Sequence, residues 1–562
     1  MSCRRSIKII FVIVVSLVGP GAIQSQEPAQ KQADTSHPIS VDTEMVRIPT
    51  IVTNSLGTRI SDLTIHDFAI LENGRPQQIA FFEHIQTKAV LQQPKQLPEN
   101  EVSNTYEKTP GRLTIILLDT LNTSFRDQER ARRSIRKFLA DSIVSTEPVA
   151  LMTLSSAGIT VVHDFTMEPG ALAEALKSVP GRRSISEVAQ PVPVEPLKSI
   201  SRMGSMNNGV DYTGLEPLQT RQSVFVAAGR MRTMETQANI NGLYGALAVE
   251  VTLASLREIG EAFAGIPGRK SLIWATGGVA FPADDKHVVN TWMGSLSTMY
   301  EDTWLALNRA DIAMYPLDVE GLVNPSYVSP AFGRRFYGTP SLKTSVYDME
   351  EFARMTGGRM CYVKTEIDGC FRQAAADSSD YYLLGFYPQP GPKKSGWQKL
   401  TIRVERSNTK VQARTRYFVG ETRDPNSGRK EDLQLGLISP LDYTDFPLTV
   451  RWTGNTEISG KKLVGFQFLL AQGAATVDES DGNHLSMDFA AMAVSAKGKI
   501  AGEFSKQMEG KLGPAPAKAI KSGNAFFPGE MELAAGDYMV RFVVRDNLSG
   551  RMGSISTSLK IP

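Results

Sequence analysis

The sequence is poor in the residues from which many catalytic centres and small scaffolds are built. It has 3 cysteines in 562 residues, which excludes a disulfide-stapled scaffold and a zinc site with four cysteine ligands. Its 6 histidines (His37, His66, His84, His163, His287 and His484) are scattered, with no pair spaced to put two metal ligands on one helix face. An excess of charge of either sign is also missing. Lys+Arg 61 against Asp+Glu 59 leaves +2, too little for the positive field of a dedicated nucleic-acid binder. Past the N-terminus no apolar run approaches the roughly 18 residues of a spanning helix, so no membrane span is expected in the mature chain. Gly-x-Ser-x-Gly, His-Glu-x-x-His and Gly-x4-Gly-Lys-[Ser/Thr] motifs do not occur. Gly265-Ile-Pro-Gly-Arg-Lys-Ser271 holds a Lys-Ser pair, but it leads into a strand pattern rather than the helix a phosphate cradle needs. Asp478-Glu-Ser-Asp-Gly482 lacks the spaced acids and closing Glu of a calcium loop and reads as a solvated turn.

What is present suffices for packed cores: 41% hydrophobic and 8% aromatic residues. The length suggests three or four domains at roughly 150 residues each. Residues 1–26 have the form of a cleaved secretory signal, with Arg4, Arg5 and Lys8 ahead of the apolar run Ile9 to Val18 and small residues behind it. A secreted or periplasmic location follows as an expectation. Loss of that segment removes Cys3 and leaves Cys361 and Cys370, which an oxidising compartment would allow to pair; two free buried thiols are the alternative.

Along the chain, residues 27–40 are an aperiodic linker, and 41–88 alternate as a small β unit. Within that unit Asn73-Gly74 stands between two apolar runs, the signature of a tight hairpin. Residues 89–111 form a second linker. At Leu113-Thr-Ile-Ile-Leu-Leu118 an unbroken apolar run ends in Asp119, as a fully buried parallel strand should. Strand and helix patterns then alternate to about residue 387. The expectation is a Rossmann-like, doubly wound, mostly parallel α/β domain over 112–420, closing in β strands and carrying a turn-rich insertion at 181–240. After a polar linker near 421–430, short alternating runs to residue 562 suggest a C-terminal β-sandwich.

Ligands of open α/β sheets bind beyond the carboxyl ends of the strands, which directs attention to Leu118-Asp-Thr-Leu-Asn-Thr-Ser124. Carboxylate and hydroxyls there have the chemistry for a hard divalent cation such as Mg2+. The other reading is a structural loop in which Asp119 caps backbone N–H groups and Asn122 bonds within its own turn.

Leu-Leu-Asp119-Thr-Leu-Asn122-Thr123, with Gly268-Arg-Lys-Ser-Leu-Ile-Trp274 further on, resembles a von Willebrand factor type A (VWA) domain. The resemblance is closer to the VWFA-related family of Acidobacteria-type bacteria, through Asp67-Phe-Ala-Ile-Leu-Glu-Asn-Gly74-Arg-Pro-Gln, Tyr381-Tyr-Leu-Leu-Gly385-Phe-Tyr-Pro388 and Lys410-Val-Gln-Ala-Arg414-Thr-Arg-Tyr-Phe418. It covers roughly residues 41–420. The resemblance implies a VWA-like fold and a metal-ion-dependent adhesion site of Asp-x-Ser-x-Ser form, completed by a Thr and a second Asp. Here Asp119 and Thr123 match, Leu121 replaces the first Ser, and Thr276-Gly-Gly278 stands where Asp-Gly would be. With one anionic ligand missing, a degenerate site is expected, in which Asp119 and Thr123 hold a divalent cation weakly or not at all. Asp318 would compensate only if the loops converged.

These readings combine into an exported, non-catalytic VWA-like module that binds a protein partner in the cell envelope. Its binding rim would include Asp119, Asn122, Thr123, Ser124, Ser155 and Thr276, with residues 276–285 and the insertion alongside. The alternatives are a structural or assembly component acting through the C-terminal sandwich and, less favoured, a secreted hydrolase.

Overall fold

The computed structural model describes residues 45–87, 93–94, 97–108, 112–140, 148–185, 237–278, 294–319, 342–362, 367–388, 396–419, 428–458 and 460–562. The signal segment, the first linker and most of the insertion lie outside the described residues.

The continuous apolar runs form the strands of one mixed sheet of six. Leu113–Asp119 pairs in parallel with Val149–Ser155 on one side and Lys270–Thr276 on the other. The latter pairs in parallel with Ile312–Asp318, and Cys361–Tyr362 follows at the edge. Gly158–Thr166 folds back antiparallel on Val149–Ser155. Successive side chains of a strand point to opposite faces, and both faces of this sheet are covered. Leu113, Ile115 and Leu117 pack with Leu253, Leu256, Trp304 and Phe352 on one side, while Ile116 and Leu118 meet Ile135, Phe138, Leu172 and Phe371 on the other. Cys361 and Cys370 are joined by a disulfide, with Cα atoms 5.9 Å apart, tying the edge strand to the helix Ile367–Ser379.

This sheet does not set the fold class. Of the five sheets with four or more strands, the other four are wholly antiparallel. The expected dominant Rossmann-like, doubly wound, mostly parallel architecture is therefore corrected to a strand-rich, mainly antiparallel protein that contains one mixed sheet. The clearest departure is Asp380–Phe386. Its sequence reads as the last strand of the parallel series, but it lies antiparallel between Val46–Asn54 and Phe81–Gln86. Gly396–Val404 likewise pairs with Phe68–Glu72. The segment read as a small N-terminal β unit thus shares two four-stranded sheets with strands from 380–419, around a core containing Ile48, Val52, Ile70, Tyr382, Leu384 and Leu400.

Asp377, fully buried, joins this sandwich to the mixed sheet. It accepts from the Tyr315 hydroxyl at 2.8 Å, Gln373 Nε2 at 2.7 Å and Gln412 Nε2 at 3.0 Å, and pairs with Arg59.

At the C-terminus two further four-stranded sheets face each other through aromatic contacts, including Phe468 with Phe489 at 5.2 Å and Phe466 with Phe542 at 5.0 Å. Glu101–Ser103, within the stretch read as a linker, adds a strand beside Leu448–Ile458. The helix Arg429–Ile438 lies on one of these sheets through Leu437, Ala490, Met492 and Val543. The chain leaving it packs under the mixed sheet's long helix Gln237–Ala262, where Thr444 Oγ1 donates to the Ala262 carbonyl at 2.7 Å. Gly265 is needed at this junction, since a Cβ there would fall 1.9 Å from the Thr444 carbonyl oxygen.

Lys270 opens its strand with a buried amine that donates to the Ile266 carbonyl at 2.6 Å and the Gly268 carbonyl at 2.9 Å. Burial pushes that amine down to about 8, against the pull of Asp311 and with a push from Arg47. A lowered amine binds fewer protons folded than unfolded between about 8 and its ordinary 10.5. The cost of its charge is in force below that window and is relieved as pH rises through it. Urea unfolding of Lys270→Met and wild type is expected to show the variant's relative stability level below about pH 8 and falling from there to about pH 10.5. A pH-independent difference would contradict this.

Candidate functional site

Asp119 ends a central strand of the mixed sheet and is fully buried. A buried carboxylate is costly unless its oxygens are satisfied. Oδ1 accepts from the backbone N–H groups of Leu121 at 3.0 Å and Asn122 at 2.9 Å. Oδ2 accepts from Asn122 Nδ2 at 2.8 Å, Trp274 Nε1 at 3.1 Å and the Thr276 hydroxyl at 2.8 Å. A carboxylate offers about four lone-pair sites, and these five donors occupy them. Burial pushes the Asp119 carboxyl above its ordinary range, while the bonds from Asn122, Thr276 and Trp274 pull it back. Four of the five partners are N–H groups that only donate, so the pocket is built for the anion.

The remaining predicted residues are mostly spent in the same way. Asn122 also donates to Thr252 Oγ1 at 3.0 Å on the long helix. Thr123, fully buried, accepts from the Gly277 N–H at 2.8 Å. Ser124 caps the helix Phe125–Ala140: its carbonyl accepts from the Asp127 and Gln128 N–H groups, and its hydroxyl meets Asp127 Oδ2 at 2.5 Å. Thr276 Oγ1 accepts from the Gly278 N–H at 3.0 Å while donating to Asp119. Ser155 stands apart, in the turn to the next strand, where its hydroxyl bonds Gly158 and Ala157. Asp119, Asn122, Thr123 and Thr276 therefore come together, but as one internal knot. Four of the six rim residues, Asp119, Thr123, Ser155 and Thr276, are buried and turned away from any partner.

The donor set does not fit a resident Mg2+ or other divalent cation. Such an ion needs oxygens pointed at it from about 2.0–2.6 Å, whereas the oxygens of Asp119 and Thr123 face N–H and O–H hydrogens. Asp318 sits opposite Thr276 in register, one strand further from Asp119. Among the described residues no group of three or more His, Cys, Asp or Glu is placed to hold a metal. Thr276, standing where the resemblance expects a carboxylate, supplies a hydrogen bond in place of a second charge.

Sequence reasoning missed several supports of this knot. Trp274 and Thr252 read only as core and helix. Gln128, also fully buried, donates to the Thr123 carbonyl at 2.9 Å and the Arg182 carbonyl at 2.6 Å, fastening the chain at 181–185 beneath the loop. It missed a cavity as well. A space of about 240 Å³ lies between the long helix Gln237–Ala262, the turn at 156–158 and the helix Arg429–Ile438. Glu250, Arg257, Glu258 and Glu261 of the long helix line it, with Glu431 opposite. Offsets of seven, eight and eleven residues from Glu250 put those four on one helix face, a signal visible in the sequence. Glu258 accepts from the Ser439 hydroxyl at 2.6 Å, and Glu261 pairs with Arg257 at 3.3 Å. Burial raises Glu261, with Arg257 opposing, and it also raises Glu250.

No family profile matches the chain, and no curated protein matches it. Among solved structures, the TFIIH p34 N-terminal domain is similar at 12% identity, covering 47% of this chain and 96% of that one, with a TM-score of 0.20. The SpRpn10 VWA domain is similar at 10% identity, covering 47% and 94%, with a TM-score of 0.20. A glycosyl hydrolase family 2 member from Bacteroides cellulosilyticus DSM 14838 is similar at 9% identity, covering 32% and 20%, with a TM-score of 0.15. At such scores none of these likenesses bears on fold or function.

Asp119→Ala removes the acceptor of five donors at once, among them the buried Leu121 N–H, Trp274 Nε1 and Thr276 hydroxyl, and is expected to lower stability by about 3–5 kcal/mol in urea unfolding. The melting temperature of the wild type is expected to be the same in EDTA as in millimolar Mg2+; a rise with Mg2+ would show that the knot opens to accept the ion.

Proposed function

We propose that this chain is an exported, non-catalytic protein-interaction module of VWA-like build, binding its partner without a metal ion. The observation that carries the reading is the closed hydrogen-bond account of Asp119. At the sheet edge where parallel strands present their ligand sites, the carboxylate has no free lone pair, and the hydroxyls of Thr123, Ser124, Ser155 and Thr276 are engaged within the chain. Groups spent in this way make a poor nucleophile, base or ligand set but a firm scaffold for a surface. That edge carries Phe125, 51% exposed at the first turn of its helix, and the exposed Ser156-Ala157 turn. An exposed aromatic on a rigid support is the usual anchor of a protein interface. The Cys361–Cys370 disulfide supports an oxidising compartment outside the cytoplasm.

The rival reading places the contact on the C-terminal sandwich. Ile500–Lys511 pairs on one side only and exposes Ile500, which favours it. Glu503, Lys506, Glu509 and Lys511 along the same strand are the charges that discourage edge-to-edge pairing.

Affinity capture from envelope extract separates the two. Phe125→Glu and Ala157→Arg are each expected to reduce recovery of a specific partner about tenfold or more, with Ile500→Glu and added EDTA without effect. Loss with Ile500→Glu alone would favour the sandwich, and equal recovery by all variants would reject the edge.

A further inference from the structure

The cavity beside the long helix shares the Ser156-Ala157 turn with the proposed partner-binding edge but faces inward between two helices, and its chemistry is specific. Its walls are apolar on both sides, with Leu121, Val251 and Met299 from the α/β part and Leu435 and Ile438 from the helix Arg429–Ile438. At about 240 Å³ it is smaller than the roughly 300–1,000 Å³ of sites for drug-sized ligands, so it suits a molecule with one ring or a short chain. Four glutamates reach it against one arginine. That arginine, Arg257, is already shared between Glu261 at 3.3 Å and Asp302 at 3.8 Å, leaving little attraction for an anion. Glu258 and Glu261 have partners in the chain, but Glu250, half-buried, has neither a hydrogen bond nor an ion pair among the described residues. A half-desolvated carboxylate without a partner is a standing cost that a cation would relieve. Carboxylates that do not converge on a point disfavour a metal ion, which needs several oxygens around one centre. A protonated amine needs only one or two.

We propose that this cavity binds a small apolar molecule carrying a single protonated amine, its apolar body held between the two helices and its ammonium group at Glu250, with Glu431 opposite.

The test is calorimetric titration of the purified protein with 2-phenylethylamine, 2-phenylethanol and 3-phenylpropionate, which share a body and differ in end-group charge. The amine is expected to bind at least about tenfold more tightly than the alcohol, and the acid more weakly than either. Glu250→Gln is expected to bring the amine-to-alcohol ratio to about two or below. Ala254→Trp, at an exposed position lining the same space, is expected to remove binding of both. Glu431→Gln, at an exposed position of the facing helix, gives a second measure of the preference if Glu250→Gln does not fold. No heat from the amine at millimolar concentration would overturn the proposal. So would equal affinity for all three probes, or a tenfold preference intact in both glutamine variants.

Discussion

Asp119 holds its carboxylate out of reach of solvent, and three separate stretches of chain take their positions from it. Its own loop supplies Leu121 and Asn122, and the neighbouring strand supplies Trp274 and Thr276. Through Asn122 it also reaches Thr252 on the long helix. Each contact is ordinary in length, but together they make the anion tolerable in a place where an unpaired carboxylate would cost several kcal/mol. The dependence runs in both directions: the donors need an acceptor as much as the carboxylate needs donors. Such a network specifies one arrangement of the edge because any partial rearrangement strands a buried polar group.

The same logic recurs at Asp377, on the opposite side of the molecule's organisation. There a buried carboxylate gathers Arg59 from the N-terminal sandwich, Tyr315 from the mixed sheet and Gln412 from a strand that returns to the sandwich. The α/β part leaves that sandwich after Gln86 and rejoins it at Asp380, so its two ends meet on neighbouring antiparallel strands. A segment inserted between paired strands has both ends fixed, and Asp377 sits where that fixing occurs.

What could be read from the sequence depended on how local the cause was. The run Leu113–Leu118 announced a buried strand because burial on both faces is written into consecutive residues. Asn73-Gly74 announced a hairpin because both positions need positive φ, and they have φ of 49° and 82° between strands that pair. The pairing of Asp380–Phe386 was hidden, because an apolar run looks the same in a parallel or an antiparallel neighbourhood. Its partners stand some 300 residues earlier in the chain, and no local pattern encodes them. The large weight of antiparallel sheet was hidden for the same reason. At the site, Asp119 was legible as a residue and as a possible loop cap. Trp274 was not legible as its donor, because an indole on a buried strand reads as core whichever way its N–H points.

Leu121 connects the two regions of functional interest. Its backbone N–H is spent on Asp119 Oδ1, its carbonyl accepts from the Ile185 N–H at 2.9 Å, and its side chain helps to line the acid-fringed cavity. The loop that satisfies the buried carboxylate is therefore also one wall of the space between the long helix and the C-terminal region. Removing the Asp119 carboxylate would loosen the edge and the cavity together, whichever of them meets a ligand. Phe125 and Glu250 differ in this respect. Phe125 is half exposed and Glu250 half-buried without a partner among the described residues, and neither belongs to the knot. A change at either is read at its own surface, which makes these two residues, rather than the conspicuous aspartate, the positions that tell recognition apart from support.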